Sequence, residues 1–105
     1  MISEEIIMEV KERLKLAAPD STIILFGSYA RGDACEGSDL DILVVEPDII
    51  SRRREMVRLH DALRSLRIPV DILVTSNKNF EEWSDTPGTV IYEAAKKGKV
   101  LYTTT

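Results

Sequence analysis

The stretch LFGSYARGDACEGSDLDILVV, residues 25–45, decides the fold of this chain and contains the residues that point to its chemistry. An apolar run ends at Gly27, a polar turn follows, and a second strongly apolar run begins with two aspartates, Asp39 and Asp41. In a β-strand, the side chains at positions i and i+2 point to the same face. We therefore expect the two carboxylates to project together from the start of a strand.

The segments around this stretch predict alternating helices and strands. Ser3 can cap a first helix over residues 3–17, and Thr86 can cap a last helix that ends before Gly98. The predicted strands are 22–26, 39–45, 69–76 and 99–102, and two further helices are predicted over 49–67 and 78–84. This order predicts an α/β protein of the α+β type, in which a small mixed β-sheet is packed with helices.

The bulk properties are those of one small soluble domain over residues 1–105. The net charge is −4, so the protein lacks the overall positive charge that attracts DNA or RNA, and we expect no direct nucleic-acid partner. Cys35 is the single cysteine, which excludes an internal disulfide and favours the cytoplasm. The sequence begins without the pattern of a signal peptide, and no apolar stretch is long enough to span a membrane.

The paired aspartates predict a cation site. Two neighbouring carboxylates repel each other, and Mg²⁺ prefers carboxylate oxygens while keeping positions for water and phosphate. Asp71, at the start of the third predicted strand, can join the pair if the two strands are neighbours. The tetrad DILV occurs at both 41–44 and 71–74, which is consistent with an aspartate at the same depth in both strands. Three carboxylates can hold two metal ions about 3.5–4 Å apart, as in nucleotidyl transfer. An Asp-x-Asp pair alone is often only a solvated strand end. The prediction of a cation site therefore also depends on the turn that precedes the pair.

That turn has the features of a phosphate-binding loop. Gly27 follows a predicted buried strand, where a tight turn is required, and Ser28 adds a hydroxyl donor. The next residues are predicted to open a short helix, whose free N–H groups would attract phosphate. A Gly-Ser pair by itself is usually an ordinary turn and cap, but its combination with Asp-x-Asp on the next strand is much rarer.

The stretch GSYARGDACEGSDLDILVV resembles the signature of the DNA polymerase beta-like nucleotidyltransferase superfamily, which is Gly-Ser, then Arg-Gly, then Ser-Asp-x-Asp and an apolar run. The resemblance is close over residues 22–76, and the length is similar to that of the minimal nucleotidyltransferase group. Many members of this group resemble antitoxins that are paired with a helical HEPN-domain toxin. The resemblance therefore implies the polymerase beta-like fold.

The resemblance also implies roles for individual residues. The matched positions are Gly27, Ser28, Arg31 and Gly32 in the turn that binds the nucleotide phosphates, and Asp39, Asp41 and Asp71 as metal-binding catalytic carboxylates. The implied reaction is attack of an acceptor hydroxyl on the α-phosphate of ATP, with two Mg²⁺ ions as cofactors and pyrophosphate as the leaving group. By the same resemblance, the acceptor is a tyrosine hydroxyl of a partner HEPN toxin.

Two other functions stay open at this point. A small-molecule nucleotidyltransferase is the first, although such relatives usually carry additional C-terminal helices for their substrate. A non-catalytic antitoxin that neutralises its partner by contact alone is the second. For Trp83 and Phe80 the sequence favours packing at the end of the sheet, and contact with a partner is the alternative hypothesis.

Overall fold

The structure is a computed structural model in which residues 1–104 are described. Its elements follow the predicted order. They are α1 (Glu4–Ala17), β1 (Thr22–Phe26), α2 (Ser28–Arg31), β2 (Leu40–Glu46), α3 (Arg52–Leu63), a 3-10 turn (Arg64–Leu66), β3 (Val70–Ser76), α4 (Asn77–Trp83), α5 (Val90–Lys97) and β4 (Lys99–Tyr102). Within the described chain, none of these helices is both long and apolar enough to cross a membrane.

The ends of two helices differ from the prediction. The long helix predicted over 49–67 begins only after Ser51, whose hydroxyl accepts a hydrogen bond from the Arg54 N–H, and its last turn is of the 3-10 type. The prediction that Thr86 caps the last helix is wrong, because α5 is capped by Thr89. Gly88 has a φ of +88°, which a right-handed helix cannot accommodate, so the helix begins at the next hydroxyl residue.

The four strands form one mixed sheet in the order β3-β2-β1-β4. Strand β1 is antiparallel to both of its neighbours, whereas β2 and β3 are parallel and are connected through α3. The repeated DILV tetrads align position by position, so that Asp41 pairs with Asp71 and Val44 pairs with Val74. The prediction that the two aspartates lie at equal depth is therefore confirmed.

Helices cover both faces of the sheet, which explains why its central strands are continuous apolar runs rather than alternating ones. On one face, Ile42 and Val44 belong to the main core with residues of α1 and α3. On the other face, Leu43 and Val45 form a smaller cluster with Ala94 of α5, against which Phe80 of α4 packs. Because side chains alternate along a strand, Asp41 lies on the same face as Leu43, beneath α4 and α5.

Candidate active site

The three predicted carboxylates gather at one end of the sheet. Asp41 pairs with Asp71 across the parallel strands, and it also pairs with Phe26 at the end of β1. Asp39 lies two residues before Asp41, immediately ahead of β2. Asp39 and Asp71 are exposed and Asp41 is partly buried, so this end of the sheet presents its carboxylates to solvent.

Gly27 lies directly against the carboxylate of Asp41. A Cβ atom placed on Gly27 would come within 2.2 Å of Asp41 Oδ2, and the φ of +75° and ψ of −152° at Gly27 are open in practice only to glycine. The absence of a side chain here lets β1 turn into α2 beside the carboxylate. The turn predicted from the sequence and the aspartates of the next strand are therefore in contact.

The short helix α2 completes this turn. Ser28 is its first residue, and Gly32 ends it with a φ of +85° and an N–H that donates to the Ser28 carbonyl over 3.0 Å. Arg31 lies between them and is exposed. All seven residues selected from the sequence thus lie at one end of the sheet.

The electrostatics of the site disfavour negative charge at its centre. The pKa of Asp41 is raised, first by burial and then by the neighbouring carboxylates of Asp71 and Asp39, while Arg31 opposes the shift. Crowded carboxylates on one face make a strong site for a positive charge, because a cation removes their mutual repulsion. The oxygen donors are of the type that a hard divalent cation such as Mg²⁺ prefers.

The side chains are not preassembled into a metal cage. Among residues 1–104, no group of three histidine, cysteine, aspartate or glutamate side chains stands close enough together to hold a metal ion. The donor types and their placement on neighbouring strands nevertheless fit a hard cation.

Arg31 is held by two carboxylates, one of which the sequence did not reveal. Its Nε donates a hydrogen bond to Asp33 Oδ2 at 3.2 Å, and its Nη1 donates one to Glu93 Oε1 at 3.4 Å. Glu93 belongs to α5 and is 62 residues away in the chain. No local pattern around Glu93 could have identified it, because the contact arises only when α5 packs on the carboxylate face of the sheet.

A second carboxylate cluster lies at the opposite end of β2. Glu46 Oε2 is buried without a hydrogen-bond partner among the described residues, and the Glu55 carboxylate is its neighbour. Arg58 donates to Glu55 Oε2 over 2.6 Å and to the Ala17 carbonyl over 2.7 Å. Burial and the adjacent Glu55 raise the pKa of Glu46 to about 7, whereas hydrogen bonds from Arg58 lower the pKa of Glu55 to about 2.

The shift at Glu46 predicts a stability that falls toward neutral pH. Its folded-state pKa exceeds the usual 4.5, so its contribution is fully present below that pH and is lost as the pH rises to about 7. The pKa of Glu55 is shifted in the opposite direction, so its stabilising contribution is present above pH 4.5 and is lost as the pH falls toward about 2. Since Glu46 is partly solvated, we expect a loss of only about 1 kcal/mol in unfolding free energy between pH ~5 and pH ~8.

Urea unfolding of Glu46→Gln at both pH values checks this prediction. The variant should lose the pH-dependent fall and be more stable than the unmodified protein at the higher pH. Glu82→Gln, at an exposed position of α4, is the matched control and should keep the fall. A fall of unchanged size in Glu46→Gln would assign the pH dependence to other groups.

The fold and the site together define a nucleotidyltransferase. Residues 4–102 match the nucleotidyltransferase domain family, and the chain belongs to this family of enzymes. A relative from Methanocaldococcus jannaschii, provisionally named a protein adenylyltransferase, is 40% identical over 78 residues, which cover 70% of this chain and 85% of the relative. A second protein from that organism, with the same provisional name, is 49% identical over 45 residues, and this chain spans only 29% of its length.

Solved structures show the same fold. A nucleotidyltransferase structure from Sulfolobus solfataricus superposes with a TM-score of 0.66 at 22% identity, over 94% of this chain and 78% of that one. A toxin-antitoxin structure with AMP-PNP gives a TM-score of 0.62 at 22% identity, over 92% and 73%. A complex of a tri-AMPylated Shewanella oneidensis HEPN toxin with its MNT antitoxin gives 0.58 at 21% identity, over 91% and 68%. The predicted mixed sheet of a nucleotidyltransferase is therefore confirmed.

Proposed function

We propose that this protein is a Mg²⁺-dependent protein adenylyltransferase that transfers AMP from ATP to a tyrosine hydroxyl of a HEPN-type toxin and acts as its antitoxin. The observation that carries this proposal is the pairing of Asp41 with Asp71 in contact with Gly27. The names of the curated relatives support a protein as acceptor, and the toxin-antitoxin complexes with the same fold support the class of partner.

The proposed reaction uses each part of the site. Asp39, Asp41 and Asp71 are the residues that would hold the two proposed Mg²⁺ ions, and bound Mg²⁺ would offset the charge that develops on the phosphates. The remaining predicted residues, Gly27, Ser28, Arg31 and Gly32, hold the triphosphate. Asp71 is the exposed carboxylate on the edge strand β3, and we assign to it the proton of the attacking acceptor hydroxyl.

The carboxylates favour an enzyme over a module that acts only by contact. Burial, and then the neighbouring Asp71 and Asp39, raise the pKa of Asp41, so the charged form of this carboxylate carries a cost in stability. A protein that only covered its partner would have no use for that arrangement. With its single exposed cysteine, Cys35, the protein suits a reducing compartment, and we assign the reaction to the cytoplasm, where ATP is available.

The test is the intact mass of a co-expressed HEPN-type partner after incubation with this protein, ATP and Mg²⁺. We expect a mass gain of one or more AMP units, which fragmentation of the partner should locate on a tyrosine, and no gain with the Asp39→Asn/Asp41→Asn double variant. A stable complex that gains no mass would instead establish neutralisation by contact. Absence of both complex and mass gain would contradict a HEPN acceptor and direct the search to small molecules.

A further inference from the structure

An apolar cavity opens on the carboxylate face of the sheet, between α4 and α5. Its volume is about 380 Å³, and we call it the Trp83 cavity. Its lining includes Leu43, Leu73, Trp83, Val90 and Ile91, with Arg52 as its charged member. Trp83 is 44% exposed and Val90 is 46% exposed, so two large apolar side chains remain open to solvent at one place.

The Trp83 cavity is close to the carboxylates. Leu43 and Leu73 follow Asp41 and Asp71 by two residues on the same face of their strands, which corresponds to a distance of about 7 Å along the sheet. The hydroxyl of Thr89 donates to the Thr86 carbonyl over 2.9 Å and lies 3.4 Å from the Trp83 carbonyl. These contacts brace the connection between α4 and α5, so the cavity is formed before anything binds.

The topology of the sheet places the cavity on the side from which the acceptor arrives. In phosphoryl transfer, the attacking and leaving oxygens lie roughly in line across the reacting phosphorus. If the proposed function holds, pyrophosphate leaves toward Gly27 at the end of β1. In the strand order β3-β2-β1, Asp71 lies on the opposite side of Asp41 from Gly27. The attacking hydroxyl therefore approaches from β3, the strand that also carries Leu73 and lies beside Trp83 of α4.

We propose that the Trp83 cavity receives an apolar side chain of the protein acceptor, one or two residues from the hydroxyl that is modified. Consecutive Cα atoms are about 3.8 Å apart, so a neighbouring residue of an acceptor chain can reach the near edge of the cavity, at Leu43 and Leu73, about 7 Å from the aspartates. The lining is predominantly apolar, and a half-exposed tryptophan is the residue type most often found as an anchor of protein contacts. This inference rests on the proposed function and adds a sequence requirement for the acceptor.

The competing occupant of this cavity is the nucleobase of ATP. An aromatic ring and the amide of Asn79, which also lines the cavity, could contact a purine. We favour the acceptor because the strand residues that line the cavity, including Leu43 and Leu73, come from β2 and β3, whereas the phosphate turn follows β1. The two hypotheses differ in whether a change at Trp83 affects the KM for ATP.

The test uses two tyrosine peptides that differ only in the residue beside the tyrosine, which is leucine in one and serine in the other. Trp83 is the single tryptophan of the sequence, so its fluorescence reports directly on the cavity. The leucine peptide should change the Trp83 emission in the Asp39→Asn/Asp41→Asn protein, which binds without turnover, and the serine peptide should not. With the unmodified protein, the kcat/KM for AMP transfer should be about tenfold higher for the leucine peptide than for the serine peptide.

Three variants complete the test. Trp83→Ala should remove the preference for leucine and leave the KM for ATP unchanged, whereas Trp83→Phe should keep most of the preference. Val100→Ala changes a valine that is 59% exposed on β4, at the far edge of the sheet, and should affect neither quantity.

Several results would overturn the proposal. If AMP-PNP with Mg²⁺ alone changes the Trp83 emission and Trp83→Ala raises the KM for ATP, the cavity holds the base. Equal transfer to both peptides would contradict the docking site and leave the adenylyltransferase function intact. A fluorescence response to the leucine peptide without any AMP transfer would support the docking site and contradict the proposed function. No response to the leucine peptide would contradict the docking site in every case.

Discussion

Asp41→Asn is expected to reduce AMP transfer by about a thousandfold or more, while the variant folds and is more stable than the unmodified protein in Mg²⁺-free solution. The loss of activity follows from the central position of Asp41 between Asp71 and Gly27. The gain in stability follows because burial and two neighbouring carboxylates raise the pKa of Asp41, so removing its charge relieves a cost of folding. Activity and stability should therefore change in opposite directions.

Thermal unfolding with and without Mg²⁺ provides a measurement independent of activity. Mg²⁺ should raise the unfolding temperature of the unmodified protein, since a ligand that binds the folded state stabilises it, and this rise should disappear in Asp41→Asn. Asp85→Asn is the matched control, because its carboxylate is exposed and pairs with Lys96 at 2.7 Å, outside the site. If Asp41→Asn is less stable than the unmodified protein without Mg²⁺, the charge of Asp41 does not lower the folding stability, which would contradict this prediction.

The fold could be predicted from the sequence wherever a local pattern is compatible with only one kind of secondary structure. The repeated tetrad DILV is an example, since the register that aligns the two apolar runs of the parallel strands also pairs Asp41 with Asp71. The helix ends were less predictable. Thr86 and Thr89 are both good capping residues, and the left-handed backbone of Gly88 decides between them only after the chain has folded.

The candidate site could be selected from the sequence because six of its seven residues lie between positions 27 and 41. Features that depend on how different helices and strands pack against one another could not be selected in this way. The pair of Arg31 with Glu93 joins α2 to α5, and the carboxyl pair of Glu46 and Glu55 joins β2 to α3. Each of these residues is ordinary in its local context, so only the folded structure shows what it contacts.

Gly27→Ala is expected to lower the free energy of unfolding by about 3 kcal/mol and to abolish AMP transfer. Two causes act together, because the positive φ of Gly27 is unfavourable for alanine and the added Cβ would lie 2.2 Å from Asp41 Oδ2. Gly37→Ala is the control for a positive φ without the steric clash. Gly37 has a similar φ of +87°, but a Cβ there meets nothing within 4 Å, so only the backbone strain of about 1 kcal/mol remains.

The contact with Asp41 can be isolated further with a double-mutant cycle. In an Asp41→Ala background, Gly27→Ala no longer meets the carboxylate oxygen, so urea unfolding should show that its cost falls by about 1–2 kcal/mol. The cost should not vanish, since the φ of +75° is unchanged. An equal cost in both backgrounds would show that the glycine is required for the turn alone. A reduced cost would show that Gly27 is required because it leaves room for the carboxylate, which links the phosphate turn and the aspartates into one site.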